Sequence, residues 1–196
     1  MSKADSSADK RARNRTICWV VTIFIVTIFV SGFISFISDL IMENSSMAVA
    51  FVILLIIILL GILFDIIGMA VASADEKPFH SMASRKVVGA QEAIALLRNA
   101  ERVSSICNDV VGDICGVVSG SASATIALQV ISNFEFTWPQ VITLLMSAFA
   151  AGLTVGGKAI GKGFAVNSST EIVHMVGKII YRLHRLTRRK KKDMEG

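Results

Sequence analysis

From Met47 to Ser73 the chain is an almost unbroken run of Val, Ile, Leu, Met, Ala and Phe, with Asp65 as its only charge. A run of that length, without strand-like alternation, must satisfy its own backbone hydrogen bonds in a bilayer, where no water is present to do so. Only a helix achieves that within one segment. Three further runs behave alike. No charge falls between Arg15 and Asp39, and Cys18–Ser38 is built mainly from Ile, Val, Phe and Thr. Another run extends from Val103 to about Val130, with Asp109 and Asp113 near its start and a Gly, Ser and Ala-rich stretch after them. The last begins at Trp138-Pro139, an interfacial aromatic and a first-turn proline, and ends near Gly157. With 53% hydrophobic residues and a mean hydropathy of +0.64, the composition suits a bilayer rather than water as solvent. The expected fold class is all-α integral membrane, with spans at about 17–38, 47–73, 103–130 and 138–157.

Lys and Arg are placed one-sidedly. The segments 39–46 and 132–137 hold none, whereas the arm 1–16 holds five, 74–102 holds five and the chain from Lys158 onward holds ten, which together account for all 20. The positive-inside rule then puts both termini and the 74–102 loop in the cytoplasm of a multi-pass cell-membrane protein. Arg11, Arg13 and Arg15 before the first run resemble the front of a signal peptide. That run is too long and has no small-residue cleavage site, so the segment is expected to stay.

Two amphipathic helices are expected on the cytoplasmic surface. In the first, 86–102, Val87, Ala90, Ile94 and Leu97 share a face opposite Arg98 and Glu101. The second belongs to the 158–187 segment. It starts with Ser168 and Glu171, spaced as a capping box, and continues with Ile172, Val176, Ile179, Ile180 and Leu183 on one side. The tail 188–196, with Arg188 to Lys192, adjoins membrane spans, so anionic lipid is the expected partner rather than nucleic acid. Along the third span Gly112, Gly116, Gly120 and Ala124 form a stripe of small residues, repeated by Gly152 and Gly156 on the fourth. Close helix packing within the chain is the expectation for both.

Charged residues inside spans are costly and are therefore the first functional candidates. Asp65 and Asp113 fall at similar depth, ~14–16 Å from the inner surface at 1.5 Å per residue. Asp109 and Asp113, four apart, share a helical face and need a cation, a proton or a basic partner between them. Asn108 and the hydroxyls of Ser119, Ser121 and Ser123 add neutral oxygens, and an all-oxygen set suits a hard cation such as Mg²⁺. Pairing of the aspartates with Lys158 is the competing reading. Other motifs carry no chemistry. Gly156–Lys162 matches a phosphate-loop pattern, but Gly163 stands where Ser or Thr would hold the metal, and no nucleotide is expected. Cys18, Cys107 and Cys115 lack metal or redox spacing, His80, His174 and His184 are scattered, and no hydrolase or metalloprotease string occurs, so the chain is not expected to be an enzyme.

The stretch from Gly89 to Arg102, GAQEAIALLRNAER, leading into Ser105-Ile106-Cys107-Asn108, resembles the transmembrane domain of the CNNM/CorC (CorB) magnesium-transporter family. There a cytoplasmic helix of pattern GA..AL.LL.NPER enters a span containing GN. Gly157 to Ala165 is similar to that family's GEVIPKSIA turn, and Glu171 to Leu186 to the juxtamembrane helix after it. The likeness covers about Phe64 to Leu186 and leaves the first span as an addition. It implies a homodimer handling Mg²⁺, with Asn108 matching the family's Asn and Lys162 the lysine of its turn. Lys158 stands where the family carries an acidic residue, Gly161 replaces the turn proline, and Ile66 and Gly68 stand where serines are usual. Regulation through that family's nucleotide-binding CBS pair is not expected. Two functions are carried forward. One is transport of a divalent cation, Mg²⁺ foremost, through Asp65, Asn108, Asp109, Asp113 and Ser119. The other is a non-transporting scaffold or accessory subunit in which Lys158 replaces the cation.

Overall fold

The computed structural model describes the backbone of residues 3–43, 45–133 and 138–192, and the side chains of 17–42, 45–133 and 138–187. The basic side chains of the arm and those of Arg188 to Lys192 lie outside the described residues, as do residues 193–196. All described secondary structure is helical: α1 (Lys3–Glu43), α2 (Met47–Ser73), α3 (Lys77–Ser84), α4 (Ala90–Arg98), α5 (Ala100–Ser105), a π-helical segment (Ile106–Gly112), α6 (Asp113–Asn133), α7 (Pro139–Asn167) and α8 (Ser169–Lys192). Four stretches are long and apolar enough to cross a membrane: Ile17–Met42, Met47–Ser73, Ala100–Asn133 and Pro139–Asn167. The protein is an all-α, multi-pass membrane protein.

Three of these helices form the centre. α2 packs against both α6 and α7, and α6 packs against α7. Lipid tails are as apolar as Leu, so close approach and dispersion hold membrane helices together. Small residues at the crossings permit that approach. A Cβ added at Gly61 would lie 2.8 Å from Cys115 Cβ on α6, and one at Gly161 would lie 2.7 Å from Ile66 on α2; one at Gly157 would overlap Ile62. The expected glycine stripe is a different matter. A methyl group added at Gly116, Gly120, Gly152 or Gly156 would meet nothing within 4 Å. The buried row of α6 is Ile114, Val118, Ala122 and Ile126. Two residues along a helix is ~200° of rotation, so Gly116 and Gly120 point away from that row.

α1 stands at the periphery. Its contacts concentrate at the end of the helix, where Ser38 and Met42 are buried and Gln129 Nε2 of α6 donates to Met42 O at 2.8 Å. Nearer its start, the Trp19 ring lies under Arg102, 5.6 Å from guanidinium carbon to ring centroid. The arm before residue 17 is helical from Lys3, a continuation of α1 rather than a separate segment.

The connection between α2 and α5 departs from the single expected helix over 86–102. An additional helix, α3, starts with Pro78 in its first turn, and a turn follows in which Lys86 (φ 57°) and Gly89 (φ 86°) are left-handed. Asn99 (φ −116°) then separates α4 from α5, with its Nδ2 bonded to Ala95 O at 3.0 Å. Packing beneath this connection joins Phe79, Ala93 and Val173 to Ala70, Val71 and Ala165. α4 and α8 cross with almost nothing between their backbones: a Cβ at Gly89 would come within 2.5 Å of Lys178 N, and one at Gly177 would overlap Gly89 O. His174 Nε2 lies 3.2 Å from Val88 O at the same crossing.

The fourth span also differs from expectation. Residues Gly157 to Ala165 continue α7 without a turn, and the chain bends only at Ser168, whose N–H donates to Phe164 O at 3.0 Å. With Gly161 in place of a proline, every backbone donor remains available to the helix. The same continuity removes the phosphate-loop geometry from Gly156–Lys162.

Candidate intramembrane ion site

Asp65 lies on α2, about 12 Å from that helix's end at Ser73 at ~1.5 Å per residue. Its neighbour is not a metal ligand but an ammonium. Lys158 Nζ from α7 is 3.8 Å from Asp65 Oδ1 and 3.9 Å from Asp113 Oδ1. It also donates a long hydrogen bond to Gly112 O at 3.4 Å. Three helices thus deliver one cation and two anions to a single point. The surroundings are unequal, since the Asp65 side chain is 8% exposed, Lys158 20% and Asp113 72%.

Between Ile106 and Gly112 the chain is π-helical, with a turn wider than an α-helix, and such insertions leave main-chain groups re-aimed. A Cβ at Gly112 would lie 3.3 Å from Lys158 Nζ and 3.4 Å from Cys107 O, so a larger residue would crowd the ammonium. The wide turn also changes the relation of Asp109 to Asp113. Four residues apart, they would face alike on an α-helix. Here Asp109 is exposed and accepts from Ser105 Oγ at 2.7 Å, while Asp113 meets Lys158.

Asn108 occupies a different niche. Its Nδ2 donates to Ser104 Oγ at 3.3 Å, and its Oδ1 is buried against the bare Cα of Gly68, where any side chain would overlap it. Gly68 is one turn after Asp65 on the same face of α2, so Asn108 and Asp65 are neighbours along that helix. Asp65 Oδ2 and Asn108 Oδ1 are both buried without a hydrogen-bond partner. Ser119 is buried and its hydroxyl bonds back to Gly116 O at 2.9 Å, as Ser123 does to Gly120 O at 2.8 Å. These hydroxyls serve their own helix. Ser121 does the same to Val118 O at 3.3 Å.

The five oxygens suggested by the sequence therefore split. Asp65 and Asp113 share Lys158, Asn108 sits beside them, and Asp109 and Ser119 are engaged elsewhere. Among the described residues, no three His, Cys, Asp or Glu side chains are grouped so that they could hold a metal ion. Mg²⁺ needs near-octahedral oxygens at about 2.0–2.1 Å, and Lys158 stands between the two carboxylates where such an ion would have to go. Fully ionised, the three side chains sum to one negative charge. Sequence reading had no signal for Gly112 O, because a main-chain acceptor leaves no mark in residue type. Gly68 had a weak one, a glycine three residues after an intramembrane aspartate.

No family model, characterised protein or solved structure matches the chain.

Proposed function

We propose that the chain is a membrane transport protein for a small cation, in which Lys158 is the resident cation of the empty state and gives way to the transported one. The observation that carries this reading is the position of Lys158 Nζ, almost equally far from Asp65 and Asp113 and in direct hydrogen-bond contact with neither. The two carboxylates repel one another, and the buried Asp65 is costly to desolvate. A flexible lysine relieves both penalties without closing the site for good. The net charge sets the requirement for exchange. One negative charge remains with Lys158 in place, enough for a proton or a monovalent ion. A divalent ion fits the charge only after the ammonium has moved away or lost its proton. Mg²⁺ is the divalent ion we favour, on the resemblance to CorC/CNNM transmembrane domains. Orientation with both termini cytoplasmic would place the site nearer the cytoplasmic surface.

The test is flux into proteoliposomes, read with a Mg²⁺ dye and, separately, with a pH dye. Asp113→Asn should abolish uptake of the cation the protein moves, while Asp109→Asn should leave most of it, since Asp109 does not meet Lys158. Equal uptake by the wild type and Asp113→Asn would defeat the proposal.

A second reading has an observation of its own, the lack of a three-ligand group among the described residues. On that reading Lys158 is a permanent clasp and the chain is a scaffold or accessory subunit. Thermal unfolding in a Mg²⁺, Ca²⁺, Mn²⁺ and Na⁺ series separates the two, because an ion that binds only the folded form must raise its stability. A transporter responds to its ion, and a clasped scaffold responds to none.

A further inference from the structure

The outward face of α8 carries an apolar row that none of the described residues covers. Met175, Ile179, Leu183 and Leu186 are each half exposed or more, although the same helix buries Val173 and Gly177 against α2 and α4. At 3.6 residues per turn the apolar arc runs about 160°, from Met175 through Ile179, Leu183 and Val176 to Ile180 and Val173. The chain packs the Ile180–Val173 end of it and, in the first turn of the helix, Ile172. Directly beside the uncovered part, within another ~80° of arc, stand Arg182, Lys178 and Arg185, all exposed.

We infer that α8 lies in the membrane interface and docks on anionic phospholipid, its uncovered apolar row inserted among the upper acyl chains and Lys178, Arg182 and Arg185 at the headgroup phosphates. Two features of the helix select that occupant. Around the helix the uncovered apolar row lies between a band of basic residues and a protein-packed edge, which matches a surface that is apolar below and negative at its rim. The helix also follows a membrane-crossing helix after a single bend at Ser168, so a bilayer surface is within reach. Long basic side chains beside the row can lie along apolar surface with their charges outward. None of this depends on whether the chain moves ions.

The experiment uses the full chain in nanodiscs, in a C18S/C107A/C115A background with Ile179→Cys carrying an environment-sensitive nitrobenzoxadiazole label. Insertion predicts blue-shifted emission that is quenched by lipids bearing a nitroxide high on the acyl chain. Quenching should be stronger in discs containing phosphatidylglycerol than in pure phosphatidylcholine. In the K178Q/R182Q/R185Q variant the preference for phosphatidylglycerol should fall about fivefold for each charge removed. Water-like, unquenched emission in both disc types would overturn the inference. So would unquenched emission accompanied by a disulfide-linked dimer of the unlabelled Ile179→Cys chain, since a second copy would then cover the row. An unchanged lipid preference in the triple variant would overturn the assignment of those three residues.

Discussion

Lys158 is the residue on which the centre of this molecule turns. Methionine at that position keeps the stem and removes the charge, leaving Asp65 buried beside Asp113 with no counter-ion. Breaking a buried pair by removing one partner costs about 3–5 kcal/mol, so Lys158→Met should lower stability by at least ~3 kcal/mol, read as a drop in unfolding midpoint in detergent. Asp65→Asn added to it should recover part of the loss, because the uncompensated charge is then gone. If the ion reading holds, the Lys158→Met protein should also be stabilised more by added cation than the wild type, since the competitor has been removed. The charged members of this group were legible in the sequence, for a charge in an apolar run is conspicuous and its depth follows from counting residues. Gly112 O was not, and neither was the separation of Asp109 from Asp113. The first is a main-chain group that residue type does not mark; the second follows a segment wound more loosely than its neighbours, and seven residues without a proline or a periodic pattern do not announce that winding.

At the scale of helices, hydropathy located the four spans because bilayer thickness fixes their length, yet it placed their ends poorly. Apolar content does not mark where α7 stops, and the bend waits for Ser168. Small residues proved ambiguous in a similar way. A glycine stripe shows where a close approach is permitted, not where one occurs, and the approaches actually made involve Gly61, Gly157 and Gly161. Gly61→Val should therefore cost about 1–3 kcal/mol through overpacking against Cys115. Gly116→Ala and Gly120→Ala, facing open space, should leave the unfolding midpoint unchanged or slightly raised, as alanine is the better helix former. Equal effects at all three positions would mean that α6 is rotated about its axis, with its glycine stripe turned inward. The second surface helix, α8, is continuous and amphipathic as expected, whereas the first was read too simply as one helix over 86–102. The left-handed turn at Lys86–Gly89 and the break at Asn99 lie in a segment whose alternation of apolar and charged residues looks helical throughout.

For the molecule as a whole, the sequence reading of a membrane protein with four helices long enough to cross was sound, because solvent and length constrain it so strongly. It carried no information on which helices would sit centrally. α2, α6 and α7 surround the charged centre, and α1 meets α6 near Met42 and α5 through the Trp19–Arg102 contact. That contact places the start of the first span beside the end of the 74–102 segment, the arrangement the positive-inside rule anticipates. Cysteines introduced at Ser6 and at Thr187 in a cysteine-free chain should both react with an impermeant maleimide in inverted membrane vesicles. Neither should react in intact cells. Labelling of one site from each side would refute the proposed topology.

Asp113 is 72% exposed on the flank of a membrane helix, and dry hydrocarbon does not close over such a carboxylate. With lipid against that flank, water and headgroups should be drawn toward it and the bilayer should thin beside α6 and α7. Where that flank meets lipid, a standing dimple in one leaflet is the expected outcome, and lipid length should set how far it must sink.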